Sequence, residues 1–172
     1  MRRLARNGLV LATLLGCVGC DQASKGVARG YLALGDSSSY LHDILRLTRA
    51  ENTGAFLGLG DALPASTRAF LFTGVVGILC IAPLVAAFCA RGMGAWQVFG
   101  LALFAAGGFG NWIDRLTRDG HVTDFLNLGL GPVRTGIFNA ADMQLIAGAL
   151  LFIFAVQWRK FPPHAPDHAP GR

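Results

Sequence analysis

Two aspartates in apolar company are the residues of this chain best suited to chemistry. They are Asp124, in His121-Val122-Thr123-Asp124-Phe125, and Asp142, in Phe138-Asn139-Ala140-Ala141-Asp142. Two carboxylates a few ångströms apart cannot both ionise freely, so one keeps a proton. The ionised one can take a proton from water while the protonated one polarises a carbonyl. Such a pair hydrolyses an amide without a covalent intermediate. No serine or cysteine with a base partner stands near them, and His121, beside Gly120, reads as a solvated loop residue. Asp142 has no cation within helical reach, because positions 138, 139, 145 and 146 are Phe, Asn, Leu and Ile. Taken alone, it also fits an acid in the first turn of a helix, stabilised by the dipole.

Three further polar clusters border apolar runs. Asp21 and Lys25 are four apart and pair on a continuing helix. On spacing alone that is an ordinary interfacial ion pair. Asn52-Thr53-Gly54-Ala55-Phe56 reads by itself as a hairpin turn. Gly107-Gly108-Phe109-Gly110-Asn111-Trp112-Ile113-Asp114-Arg115 combines small residues, which permit close helix approach, with an amide and two charges. It is more polar than the end of an apolar run requires.

The elements that must position these groups are membrane spans. The 172 residues are 53% hydrophobic and only 15% charged, against about a quarter charged in a soluble domain. The apolar residues form four runs: Leu4–Cys20, Ala69–Ala90, Gly92–Ile113 and Gly136–Trp158. A helix needs about 20 apolar residues to cross the hydrocarbon. The last three runs meet this. The first is short, with Arg2, Arg3 and Arg6 able to snorkel. An ionisable residue at such depth is expensive and marks function by default.

The expected architecture is an all-α membrane protein with one domain over residues 1–160. Its spans lie near 4–20, 69–90, 92–113 and 136–158. Polar segments 21–68 and 114–135 share one side, and both termini share the other. Leu45 and Leu47 alternate with Arg46 and Thr48, which suggests a strand, and Val133–Phe138 suggests a second. A small β-sheet on the membrane face is expected from them. Residues 161–172 hold four prolines and read as a disordered tail. Lys and Arg totals nearly balance between the sides, so orientation rests on Arg2, Arg3 and Arg6, which favour a cytoplasmic N-terminus.

Other classes fit less well. The formal charge of +5 is dispersed among span flanks, which argues against nucleic acid. Cys17 and Cys20 form a lone C-x-x-C inside an apolar run, weak evidence for a metal or redox site. Leu14-Leu15-Gly16-Cys17 after basic residues also matches a lipoprotein signal, but three further apolar runs favour an uncleaved span. A transporter using Asp142 lacks an ionisable residue in the second and third runs.

The five clusters, in this order and with four spans, resemble the bacterial lipoprotein signal peptidases (signal peptidase II). The resemblance covers nearly the whole chain except its proline-rich end. It implies an inner-membrane aspartyl endopeptidase that removes signal peptides from diacylglyceryl-modified prolipoproteins, cutting just before the lipidated cysteine. It places the catalytic pair at Asp124 and Asp142. It makes Asp21, Lys25, Asn52, Gly54, Gly108, Asn111, Asp114, Arg115, Asn139 and Ala141 supporting or substrate-binding positions. It implies no metal or organic cofactor, inhibition by globomycin-type cyclic peptides, contact with membrane lipids, and a monomer with both termini cytoplasmic and the site near the outer face. The segment Asn52–Gly60 is expected to act as a flap, alongside an extracytoplasmic helical segment.

Overall fold

The computed structural model describes residues 1–54 and 62–160. The expected flap falls largely on residues 55–61, and the expected disordered tail on 161–172. Both lie outside the described residues.

The chain is mostly helical. α1 spans Arg3–Tyr31, α2 Ala65–Arg68, α3 Val76–Cys89, α4 Ala95–Thr117 and α5 Ala140–Lys160. A π-helical segment, Ala69–Val75, joins α2 to α3 without a break. Three helical stretches are long and apolar enough to cross a membrane: Arg3–Tyr31, Ser66–Cys89 and Ala140–Arg159. Helix α4 is not among them. Gln97, Asn111, Asp114, Arg115 and glycines at 100, 107, 108 and 110 are buried along it, and it packs against α5, α1 and α3. It is the core of the bundle, so its polar positions meet protein.

Outside the core the bundle is apolar. Leu4, Leu15, Ile78, Leu79, Leu150 and Ile153 are all exposed. Inside, small residues dominate: Ala102, Ala105 and Ala106 are fully buried. Lipid provides no hydrophobic drive between helices, so close packing of small residues holds them together. Glycines set the tightest crossings. A Cβ on Gly107 would run into Ala141 O, and one on Gly148 into Phe104 N.

α1 extends eleven residues beyond Cys20, the expected end of the first apolar run. The charges at Asp21 and Lys25 do not stop it, because they are neutralised inside the protein rather than at a surface.

The polar segments build an antiparallel sheet in the order β1-β2-β3-β4, with β1 at Ser37–Tyr40, β2 at Leu45–Asn52, β3 at Val122–Leu130 and β4 at Val133–Arg134. The strand expected around Leu45 is β2. That expected over 133–138 shrinks to β4 plus a single bridge from Phe138 to Leu126. Asp124 lies in the strand β3, not in a loop. The register of β2 on β3 shifts close to this residue. Leu47 pairs with Leu126, but the next pair is Ala50 with Asp124. β2 thus gains one residue on β3, a bulge. Because side chains alternate with period two, that residue moves Asn52 onto the face of Asp124.

Candidate active site

The site begins with how α5 starts. Asn139 precedes the first helical residue, and Asp142 stands three further on. The Asp142 N–H donates to Asn139 Oδ1 at 3.0 Å, and the Asn139 N–H donates to Asp142 Oδ2 at 3.1 Å. These reciprocal bonds satisfy helix donors otherwise orphaned, as in a capping box. So Asp142 is the helix-start acid that local reading allowed. It is also more, because Asn111 Nδ2 of α4 donates to its Oδ1 at 2.9 Å.

Asn139 uses its amide nitrogen to reach β3. Nδ2 donates to Asp124 Oδ1 at 2.6 Å and to Asn111 Oδ1 at 3.1 Å. Asn52 Nδ2, placed by the bulge, donates to Asp124 Oδ2 at 2.9 Å. The two carboxylates are therefore joined through Asn139 and Asn111. Asp124 is 3% exposed, Asp142 6% and Asn139 fully buried.

A second cluster fixes those amides. Lys25 Nζ meets Asp21 Oδ2 at 2.8 Å, Asp114 Oδ2 at 3.0 Å and Asn111 Oδ1 at 2.8 Å. An ammonium has three donors, and all three are used. By holding the oxygen of Asn111, Lys25 turns its nitrogen toward Asp142. Asp21, Lys25 and Asp114 are fully buried, which overturns the interfacial ion pair suggested by spacing. Asp21 Oδ1 accepts the Ala141 N–H at 2.9 Å, tying α1 to the first turn of α5. Ala141 itself has no exposed surface.

Arg115 closes the other flank. Its Nη2 donates to Gly54 O at 2.6 Å and Nη1 to Asn111 O at 3.3 Å, while Nε has no partner among the described residues. Asn52 Oδ1 accepts the Gly54 N–H at 2.9 Å, fixing the turn that presents that carbonyl. Beside these groups is a cavity of about 310 Å³, walled by Phe72, Val76, Leu79 and Leu145, with Asn111, Arg115 and Asp142 on its polar side. Gly108 admits the Cys80 thiol, which no side chain there would allow. Trp112 braces the wall by donating Nε1–H to Thr73 O at 2.7 Å, a carbonyl in the π-helical segment.

Burial is the chief influence on the Asp124 carboxyl. It pushes the pKa from 3.8 up to about 7, aided by the charge of Asp142 and opposed by the bonds from Asn52 and Asn139. A carboxyl poised there can hold or give up a proton near neutrality.

Every supporting position expected from the sequence falls in this connected set. His121 stands apart, its Nδ1 3.0 Å from Arg118 O. Three further contributors carry only faint sequence signals. Gln22 Nε2 donates to Asp114 Oδ1 at 3.1 Å and Gly110 O at 3.0 Å. The Thr123 N–H donates to Asp114 Oδ2 at 3.3 Å. Gly110 leaves room for Asp21, since a Cβ there would sit 2.6 Å from its Oδ2. The signals are adjacency of Gln22 and Thr123 to the key aspartates and the glycine run in α4.

Known proteins resemble this chain over most of its length. The family model described as signal peptidase (SPase) II matches residues 13–158. The chain is 33% identical over 147 residues to the lipoprotein signal peptidase of Desulforapulum autotrophicum, covering 84% of this chain and 89% of that one. It is 36% identical over 136 residues to that of Pelotomaculum thermopropionicum, covering 79% and 83%. Two solved bacterial membrane enzymes, determined in meso, superpose with TM-scores of 0.76 and 0.73, each at 26% identity. The first covers 92% of this chain and 94% of its own.

Proposed function

We infer the mechanism from one premise: the chain belongs to the signal peptidase II family. It is a peptidase that removes signal peptides from prolipoproteins.

Asp124 and Asp142 are the catalytic pair. The observation that carries this is the Asn139 bridge: its Nδ2 donates to the Asp124 carboxylate, and its backbone N–H donates to that of Asp142. With a pKa near 7, Asp124 holds the shared proton. Asp142 acts as the carboxylate, at a helix N-terminus whose dipole favours negative charge. Water held between them loses a proton to Asp142 as it attacks the scissile carbonyl, while Asp124 donates to the carbonyl oxygen. The tetrahedral intermediate then collapses: the proton on Asp142 goes to the leaving amide nitrogen as the C–N bond breaks, and a gem-diol hydroxyl returns its proton to Asp124 as the carbonyl re-forms. Asn52, Asn111 and Asn139 hold the carboxylates at fixed orientation, which lowers reorganisation during reaction. Arg115, with Nε unpaired, and the apolar cavity beside Asp142 receive the substrate backbone and side chains.

The substrate's signal helix lies against the bundle, and its diacylglyceryl chains stay in the bilayer. α4 spans the membrane with the three more apolar stretches, giving four spans. The sheet end faces outward and both termini face the cytoplasm, across the inner membrane. Cleavage falls just before the lipidated cysteine, and globomycin-type cyclic peptides block it.

The test is cleavage of a diacylated model prolipoprotein by Asp124→Asn and Asp142→Asn variants that still insert and fold. Each is expected to lose activity about a thousandfold or more. Retained cleavage in either variant rejects the pair. Cleavage of the unaltered enzyme that globomycin leaves untouched rejects the inhibitor assignment alone.

A further inference from the structure

The end of the bundle remote from the dyad holds an apolar groove of about 550 Å³. It lies between the first turn of α4, with Ala95 and Trp96, and the last turns of α5. On α5, Leu151, Phe154, Ala155, Trp158 and Arg159 recur at helical spacing and form one stripe roughly 12 Å long. Trp96, Phe154 and Trp158 are each more than half exposed. Arg159 sits at the rim, its Nη1 donating to Gly92 O at 2.5 Å and Gln97 Oε1 at 3.0 Å. Those bonds pin the guanidinium in place. Its other N–H groups make no bond among the described residues.

Charge distinguishes this end from the other. Arg2, Arg3, Arg6 and Arg91 stand with Arg159 at the same helix termini, and Arg6 Nη1 bonds Ala90 O at 3.0 Å. No Asp or Glu occurs in residues 1–20, 62–113 or 143–160. This end is positive and has no acid to offset it among the described residues.

We propose that the groove seats one anionic phospholipid, an acyl chain along the Trp96–Phe154–Trp158 channel and its phosphate on Arg159. The shape and charge together select this occupant. A neutral lipid would fill the channel but leave the arginine cluster unanswered. A second copy meeting this face would bring arginine against arginine. Tryptophan at the headgroup level and arginine within a few ångströms of it are what an anionic interface favours. The site is about 25 Å along α5 from Asp142, so it is separate from catalysis and stands whether or not the dyad assignment does.

The test uses the purified full chain in detergent, exposed to phosphatidylglycerol or phosphatidylcholine with identical chains, and native mass spectrometry. One retained phosphatidylglycerol is expected, with phosphatidylcholine largely stripped. Arg159→Gln should weaken phosphatidylglycerol retention about fivefold, the effect of one interfacial cation, and leave prolipoprotein cleavage in detergent unchanged. A second measurement needs no variant: phosphatidylglycerol with brominated chains should quench tryptophan fluorescence more than brominated phosphatidylcholine at equal mole fraction. Equal retention or equal quenching by the two lipids overturns the proposal. So does undiminished retention by Arg159→Gln, or a dimer that replaces the lipid adduct.

Discussion

Replacing Asp124 by Asn should stop cleavage and yet leave the protein more stable at neutral pH. The two effects share one cause. The carboxyl is 3% exposed, and burial lifts its pKa from 3.8 to about 7. Below pH 4 the folded and unfolded chains both hold this proton. As pH rises from about 4 to 7, the unfolded chain loses it and the folded chain keeps it. The unfolded state then gains, and stability falls by up to about 1.4 kcal/mol per pH unit. Above pH 7 the accumulated loss is about 4 kcal/mol. Asparagine removes that slope. It also carries one acceptor where Asn52 and Asn139 each direct an amide N–H, at 2.9 and 2.6 Å. One donor is left unpaired, at a cost of about 1–3 kcal/mol. The variant should therefore be less stable than the parent at pH 4 and more stable, by about 2 kcal/mol, at pH 8. Thermal unfolding of detergent-solubilised protein across that range reads the difference, beside cleavage of a diacylated peptide. A variant that unfolds more easily than the parent at pH 8 would refute the reasoning, since burial would then not be straining this carboxylate.

Three other changes probe the surrounding network. Asn139→Ala removes the donor on Asp124 Oδ1, a bond that holds its pKa down. The pH–rate profile should shift upward while cleavage slows at least about tenfold; an unshifted profile would separate Asn139 from Asp124. Lys25→Met leaves Asp21 and Asp114 buried without their shared cation and should cost about 3–5 kcal/mol. Adding Asp21→Asn and Asp114→Asn should recover part of that, as read by unfolding in detergent. Gly148→Val puts a branched side chain against Phe104 N and Gly100 O. It should force α4 and α5 apart and lower the yield of folded protein, whereas Gly8→Ala, with nothing within 4 Å of a Cβ, should not.

The residues that matter are legible because of where they stand. Asp21, Lys25, Asn111, Asp114, Asp142 and their neighbours are polar groups at the ends of long apolar runs, and such groups are too costly to be incidental. Their connections are not legible. Asp124 and Asp142 lie 18 residues apart in the sequence, and nothing in that spacing says that Asn139 joins them. The link depends on α5 starting at Ala140 and on the Phe138 backbone pairing with Leu126 of β3. β3 escapes a local reading for a simple reason. Its first four residues, Val122 to Phe125, are all buried, so polar and apolar positions do not alternate around Asp124, and only Leu126 to Leu130 keep the period of two. The bulge in β2 is equally silent, since its signature is a register and not a residue type. Charge understates the length of α1 as well. A charged residue ends a span only where it lacks a partner, and tertiary pairing of Asp21 and Lys25 removes that cost.

α4 shows most clearly why hydropathy and position in the bundle diverge. It is the one long helix that is not apolar enough to count among the candidate spans, and the one the others surround. Lipid-facing helices must be apolar on their outer surfaces, and α1, α3 and α5 expose Leu15, Ile78, Leu79, Ile153 and Phe154 accordingly. A central helix faces protein on most sides and is free of that demand. It can then supply what lipid-facing helices cannot: glycines at Gly100, Gly107, Gly108 and Gly110 that bring neighbouring elements within reach, and the buried Asn111, Asp114 and Arg115 that those neighbours satisfy. Lys25, Asp142 and Gly54 bond those polar groups, while Gly107 and Gly110 let Asp21 and the first turn of α5 pack close to the helix. Buried polar residues interleaved with glycines are thus a pointer to the helix around which the site is assembled.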